Sequence, residues 1–452
     1  MSKARKPRHE GTHKLTREQR KSRRAKRREK QKLLIERLVV QGLEPPPNAT
    51  RANSISPYQT VEEEQQARSE ATLEHVRIIR SKLWILMRVL STIPDPRNPL
   101  LISHTLETLL LYGVLSFVLQ MASRRKANEQ LTTPAMVEQL KRIFPELETI
   151  PHHDSVNRLL ARIDVQQLEQ VTVELVRYLI RNKKFRRQQL IGGCYPIAID
   201  GTQKITSKEF WGEQWLEREV GNEGEVQYYI HVLEASLVLA NGMTLPLMSE
   251  FLDYLQGDSE RDKQDCERRA FFRLAERLKK AFSHLPILLL LDGLYPTGPL
   301  MEQCRKYGWQ FMIVLQDGSL QQVWEEYRGL KGYLEPEDRH EQFWRGRSQR
   351  FHWINDIEYC YGPNGRKTQT VHLVVCEESW PEVDESGEIV TKSGRHVWIS
   401  SEPLSRSTVH RRCNLGARRR WDIEEQIKVE KRHGYHYEHC YSYNWNALRG
   451  YH

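Results

Sequence analysis

Two uninterrupted apolar runs dominate the hydrophobic pattern, Tyr195-Pro-Ile-Ala-Ile and Pro286-Ile-Leu-Leu-Leu-Leu, and each ends on an aspartate followed by glycine, Asp200-Gly and Asp292-Gly. Short apolar runs bounded by turn residues read as strands buried on both faces. A strand of that kind, ending in a carboxylate, delivers the carboxylate to the rim of a sheet. Between the two runs, residues 228–239 read as a strand, Asn241-Gly242 as a hairpin turn and 244–251 as its return strand. A charged helix is predicted over 259–282, a short helix over 298–306 and a strand over 309–315. The order β-β-β-α-β-α-β, an antiparallel meander followed by crossover units, is that of an RNase H-like mixed sheet.

Upstream, from about 62 to 185, the apolar period is helical. Leu83, Leu86, Val89 and Leu90 recur at three- and four-residue intervals, as do Leu159, Leu160 and Ile163. Pro94 and Pro96 break the first helix, and Pro151 precedes another for which Asp154 or Ser155 is the expected cap. The most apolar stretch, 100–121, contains His104, Glu107 and Gln120, so a buried helix is expected and no membrane span. Downstream, alternating segments at 351–361, 370–376 and 396–400, with Pro363-Asn-Gly365 between the first two, predict a β-rich insertion, whose last strand either stays there or rejoins the main sheet. From Arg418 the helical pattern resumes.

The expected organisation is therefore a basic tail and linker (1–57), an all-helical, DNA-binding domain (58–190), the first part of an RNase H-like α/β core (191–316), a β-rich insertion (317–400) and a C-terminal helical part of the core (401–452). Charge sharpens this picture. The net charge is +10, and residues 1–44 hold 16 Lys/Arg against 5 Asp/Glu, which leaves the remainder near −1. A basic arm on a near-neutral body reads as an anchor for polyanions, most often nucleic acid, with a merely solvated extension or a targeting signal as the bland alternative. Thr16-Arg-Glu-Gln19 has the form of a capping box, and the prolines near 45–47 end any helix that follows it. Two further basic clusters, Arg124 to Lys126 and Lys183 to Arg187, suit either phosphates or the ends of solvated helices. Seven scattered cysteines without a C-x-x-C pair and a hydrophilic N-terminus fit an intracellular protein.

The chemistry converges near the C-terminus, on Arg420-Trp-Asp-Ile-Glu424 with Lys431 seven residues beyond the glutamate. On a helix, Arg420, Glu424, Lys428 and Lys431 fall within about 80° of one another. Glu424 would then meet Asp200 and Asp292 at the sheet rim, flanked by cations. Three carboxylates brought together repel unless a cation sits among them, and Mg²⁺ or Mn²⁺ suits such hard oxygen donors. Two such ions activate a water or a 3′-hydroxyl and stabilise the leaving oxygen in a displacement at phosphorus. Arg420, Lys428 and Lys431 would orient the phosphates of DNA.

The segments Ile-Ala-Ile-Asp200-Gly-Thr, Leu-Leu-Asp292-Gly-Leu-Tyr-Pro and Arg420-Trp-Asp-Ile-Glu424 with Lys431 resemble those of DDE transposases encoded by bacterial insertion sequences, in the group with a Y-x2-R-x3-E-x6-K signature and a β-rich insertion. The resemblance implies a catalytic, metal-binding triad of Asp200, Asp292 and Glu424, cleavage at transposon ends, strand transfer into double-stranded target DNA, and a homodimer on DNA in the bacterial cytoplasm. The signature tyrosine falls on Ala417 here, with Arg418 and Arg419 as candidate substitutes. Family members hold a flipped base with an aromatic of the insertion, a role open to Trp344 and Trp353, for which core packing is the blander account.

His433, His436, His439 and Cys440 invite a zinc reading, but their spacing fits no closed site and Gly434 breaks the helix. One of Asp258, Asp262 and Asp265 could replace Asp292 should the strand at 286 be misplaced, though a solvated helix start rich in acids is the simpler account of them. A catalytically inactive or truncated DNA-binding relative is the second functional reading, prompted by the end of the chain at His452.

Overall fold

The computed structural model describes residues 61–81, 84–221, 224–253, 263–384 and 386–452, together with 26, 29–30, 32–33, 36–37 and 39–40. The expected capping box at Thr16, the linker, Leu83, Asp258 and Asp262 lie outside the described residues. By its contacts the chain forms two compact units: residues 1–50, 339–352 and 375–396 in one, 51–338, 353–374 and 397–452 in the other.

In the larger unit the helical region comes first, with α1 (Val61–Ser81), α2 (Trp84–Leu90), α3 (Leu106–Val118), α4 (Arg124–Leu131), α5 (Pro134–Lys141), α6 (His153–Leu160) and α7 (Val165–Arg181). Thr105, Ser123, Thr133 and Asp164 cap α3, α4, α5 and α7 by accepting backbone N–H bonds. At α6 the cap is neither Asp154 nor Ser155. His152 accepts from the Asp154 amide, which leaves the Asp154 carboxylate in the first turn to pair with Arg124 at 2.9 Å.

The apolar α3 is wrapped by its neighbours: Leu109, Tyr112, Leu115, Leu131, Leu140 and Leu159 are fully buried together. Tyr441, Ala447 and Tyr451 complete the same core from the far end of the chain. Among the described residues no helix is long and apolar enough to cross a membrane.

The sheet follows with β1 (Tyr195–Ser207), β2 (Leu216–Val220), β3 (Glu225–Val238), β4 (Thr244–Phe251), α8 (Lys263–Ala281), β5 (Ile287–Leu291), α9 (Gly298–Tyr307) and β6 (Gln310–Val314). Strand order is β2-β3-β1-β5-β6, with β4 also on β3. The pairs β1–β3, β2–β3 and β3–β4 are antiparallel, and β1–β5 and β5–β6 are parallel. This is the meander-plus-crossover topology expected of the RNase H-like sheet, with β1 longer than its apolar run and β2 added at the edge.

Beyond α10 (Gln321–Leu330) come β7 (Arg339–Trp344), β8 (Arg347–Tyr361), β9 (Lys367–Val383) and β10 (Ile389–Ser400). The end of β10 rejoins the main sheet, where Trp398, Ile399 and Ser400 pair with Val314, Ile313 and Met312 of β6. In the smaller unit β7 and β8 form a hairpin whose two-residue turn, Arg345-Gly346, has positive φ at both positions. The buried Glu378 carboxylate there accepts from Gln349 and pairs with Arg347 at 3.0 Å.

The chain closes in the larger unit with α11 (Val409–Cys413), α12 (Arg420–Arg432) and α13 (Trp445–Tyr451). Side chains alternate across a strand, so Asp200 and Gly201 face opposite sides of β1. A Cβ on Gly201 would meet His231 and Glu267, which sets α8 on that face. The other face, bearing Asp200, receives α12.

Candidate active site

Strand register assembles the site. β1 and β5 pair in parallel from Tyr195↔Ile287 to Ala198↔Leu290, and the same register continued two residues sets Asp200 level with Asp292. On the other side of β1, Asp200 is the direct partner of Glu234 in β3. Neighbouring strands lie about 4.8 Å apart and residues in register share a face. Glu234, Asp200 and Asp292 thus form a row of carboxylates across three strands. Asp292 follows β5 directly and is held by its own turn, with Oδ1 accepting from the Leu294 amide at 2.9 Å. Gly201 is a strand residue opposite Leu233 and no turn, so the two Asp-Gly pairs differ in local structure.

Above the row lies the start of α12. Arg420 is buried and its Nη2 stands 2.7 Å from Oε1 of Glu424, one helical turn on. Burial pushes the Asp200 carboxyl up to about 7; the Arg420 charge opposes that rise, and the Asp292 and Glu424 charges add to it. Asp292 is likewise raised by burial, against its Leu294 hydrogen bond and Arg420, with Glu267 and Glu424 pushing it further up. One buried guanidinium is therefore shared by three acidic groups. Its Nε has no hydrogen-bond partner among the described residues.

The remaining sequence candidates fall in different places. Lys431 is half-buried, donates to the Gln203 carbonyl at 2.6 Å and pairs with Glu438 at 3.2 Å, so it straps α12 to β1. Lys428 pairs with Glu425 at 2.7 Å on the solvent side. Ala417 is buried in a turn of 3-10 helix. Arg418 bonds Asn414 and lies over Trp398, and Arg419 bonds Asp422 and the Ala240 carbonyl. Both are engaged in the fold. Trp353 is buried in the larger unit, and in the smaller one Trp344 lies beneath the Arg345 guanidinium at 4.6 Å.

Several groups escaped the sequence reading. Glu234, fully buried, accepts from Tyr437 Oη at 2.5 Å, and its carboxyl is raised by burial and by Glu430. Lys204 stands 3.9 Å from the Tyr437 ring centre, and burial brings it down to about 8 despite Glu234 and Glu430 nearby. On the opposite face His231 Nε2 lies 2.9 Å from Glu267. Tyr295, in the turn after Asp292, is buried with its hydroxyl unpartnered among the described residues. The usable signal was Glu234 itself, an acidic residue between Leu233 and Ala235 in the apolar half of its strand.

The His433–Cys440 segment joins the helical region: Gln120 donates to the His433 carbonyl and Tyr441 Oη to the Met121 carbonyl. Among the described residues no three His, Cys, Asp or Glu side chains enclose a point for a metal ion. The donor chemistry nonetheless fits one. Asp200 and Asp292 are hard oxygen donors at one register level, both raised by burial despite the Arg420 charge, and a cation among them would favour their charged forms. Glu424 is the third, drawn to Arg420 in the arrangement described.

The mixed sheet thus carries acidic residues at adjacent strand positions, with a further one on the covering helix. The family described as "Transposase DDE domain" matches residues 265–451, and the one described as "DDE_Tnp_1-associated" matches residues 87–176. The two matches together span more than half of the chain, which belongs to the DDE transposases. It is thus a transposase, and domains of this family use divalent metal ions. Among solved structures, the chain is similar to the piggyBac transposase in its synaptic complex with hairpin DNA, at 13% identity and a TM-score of 0.33, over 78% of this chain and 70% of that one. No curated protein matches the sequence.

Proposed function

We propose that the chain cuts DNA at transposon ends and joins them to double-stranded target DNA, with Asp200, Asp292 and Glu424 as the metal-holding catalytic triad. The observation that carries this reading is the common register of Asp200 and Asp292 beneath the helix that bears Glu424. Mg²⁺ or Mn²⁺, bound as a pair, would supply charge to activate the attacking oxygen and to stabilise the leaving one. Burial raises both aspartates, and a bound ion would favour their charged forms.

Arg420 has a second duty in this scheme. While Glu424 is free of other ligands the guanidinium neutralises it; once Glu424 is engaged, the unpartnered Nε and its neighbours are left to grip a phosphate oxygen. Lys431 fixes the helix on β1 so that Glu424 stays above the row. Lys428, at the solvent border, is available to flanking phosphates when it leaves Glu425. The chain would work as a homodimer, one copy for each transposon end, in the cytoplasm of a bacterium where nucleoid DNA is the target.

The test uses end-labelled DNA that carries the terminal repeats of the element, incubated with Mg²⁺ or with EDTA. Labelled cleavage and joining products are expected with Mg²⁺ alone. The same products in EDTA would refute the metal mechanism.

A further inference from the structure

Both cations of the signature are occupied inside the fold, Arg420 by Glu424 and Lys431 by Gln203 and Glu438, and Lys428 at the solvent border pairs with Glu425. A duplex held for cutting needs positive charge that is not already spent on the protein's own carboxylates. Such charge stands at the end of α7. Five of the seven residues from 181 to 187 are Lys or Arg and none is acidic. Arg181, Lys183, Lys184, Arg186 and Arg187 are all exposed, and none makes a side-chain hydrogen bond or ion pair among the described residues.

This knuckle has a fixed shape. Lys183 takes a left-handed backbone conformation, φ +57°, that turns the chain sharply out of the helix. Phe185 is buried and anchors the middle of the run, so the cations on either side of it are held outward. Attraction to the α7 dipole accounts for Arg181 in the last turn but falls off within that turn, and so does not explain the four cations beyond it. Mutual repulsion of that many unpaired cations is a standing cost which a polyanion would relieve.

The knuckle is also tied to the catalytic helix. Gln188, which follows it directly, accepts from the Ala240 amide at 2.8 Å, while Arg419, the residue before α12, donates to the Ala240 carbonyl. The basic run and the start of the helix carrying Glu424 thus clasp the same residue of the β3–β4 turn.

The geometry points to the segment Arg181–Arg187 as a phosphate-backbone clamp for duplex DNA, which positions the substrate relative to Glu424 without reading its sequence. This inference rests on the transposase reading and names the surface that reading leaves unassigned.

The test is the salt dependence of binding to a short duplex of arbitrary sequence. Each phosphate contact adds about 0.9 to the slope of log affinity against log salt for B-DNA. The full chain carrying Lys183→Gln, Lys184→Gln, Arg186→Gln and Arg187→Gln is expected to lose about three to four from that slope and to bind every duplex more weakly by a similar factor. Exchanging the lysines for arginines and the arginines for lysines should restore both. Arg125→Gln with Lys126→Gln, whose cations are already paired with Glu129, should change the slope by less than about one.

An unchanged slope in the quadruple variant, with circular dichroism matching the parent, would overturn the clamp. If that variant keeps the slope while the parent still cleaves DNA with Mg²⁺, the clamp alone is refuted. A parent chain that neither binds nor cuts any duplex would refute the transposase reading as well.

Discussion

At the scale of single residues, the account turns on carboxyl groups placed where their charge is hard to bear. Asp200 is the clearest case, raised to about 7 by burial with Asp292 and Glu424 close by. A carboxyl raised on folding holds its proton more tightly in the folded chain than in the unfolded one. Its contribution to stability is complete below the unfolded value near 4, then is lost as pH climbs through 7. In the presence of a chelator, Asp200→Asn should therefore be more stable than the parent at pH 8, by on the order of 1–3 kcal/mol, with the gap closing toward pH 4. Urea denaturation at the two pH values measures this; a gap that does not vary with pH would contradict the burial of Asp200. Saturating Mg²⁺ should narrow the gap at pH 8, since the ion supplies the charge that Asn makes unnecessary.

At the scale of elements, the faces of β1 carry different tasks. Asp200 looks toward α12, and Gly201 leaves room on the other side for the His231–Glu267 pair that locks α8 to the sheet. A Cβ at position 201 would stand 2.7 Å from His231 Nε2 and 3.1 Å from Glu267 Cδ. Gly201→Ala is expected to cost about 1–3 kcal/mol, read as a lowered urea midpoint. No change in midpoint would mean that the pair yields without loss.

This glycine also marks the limit of what the sequence discloses. The apolar runs before Asp200 and Asp292 were legible because both strands are buried on each face, and the helix of Glu424 because Arg420, Glu424, Lys428 and Lys431 recur at helical spacing. By contrast β2, an edge strand with only Leu216 fully buried, shows no alternation to read. Nor does local pattern reveal that Tyr441, Ala447 and Tyr451 pack in the same core as Leu109 and Leu159, since that contact spans most of the chain. The row Glu234–Asp200–Asp292 depends on strand register, which a sequence fixes only through the fold.

At the scale of the molecule, the larger unit joins a helical region, a mixed sheet and a C-terminal segment that binds one to the other. α13 completes the helical core while α12, joined to it through residues 433–444, covers the carboxylate row. Anything that loosens the C-terminal segment acts on both. The central claim is that Asp200, Asp292 and Glu424 act together on one phosphodiester through bound metal, separately from the cations that hold DNA. It is tested most directly by measuring Mg²⁺-dependent cutting of end-labelled transposon DNA, alongside duplex affinity, for the parent and for Asp200→Asn, Asp292→Asn and Glu424→Gln. The account predicts that each variant loses cutting by at least about 100-fold with affinity kept. Full cutting by any one of the three, or a loss that follows weakened binding, would contradict it.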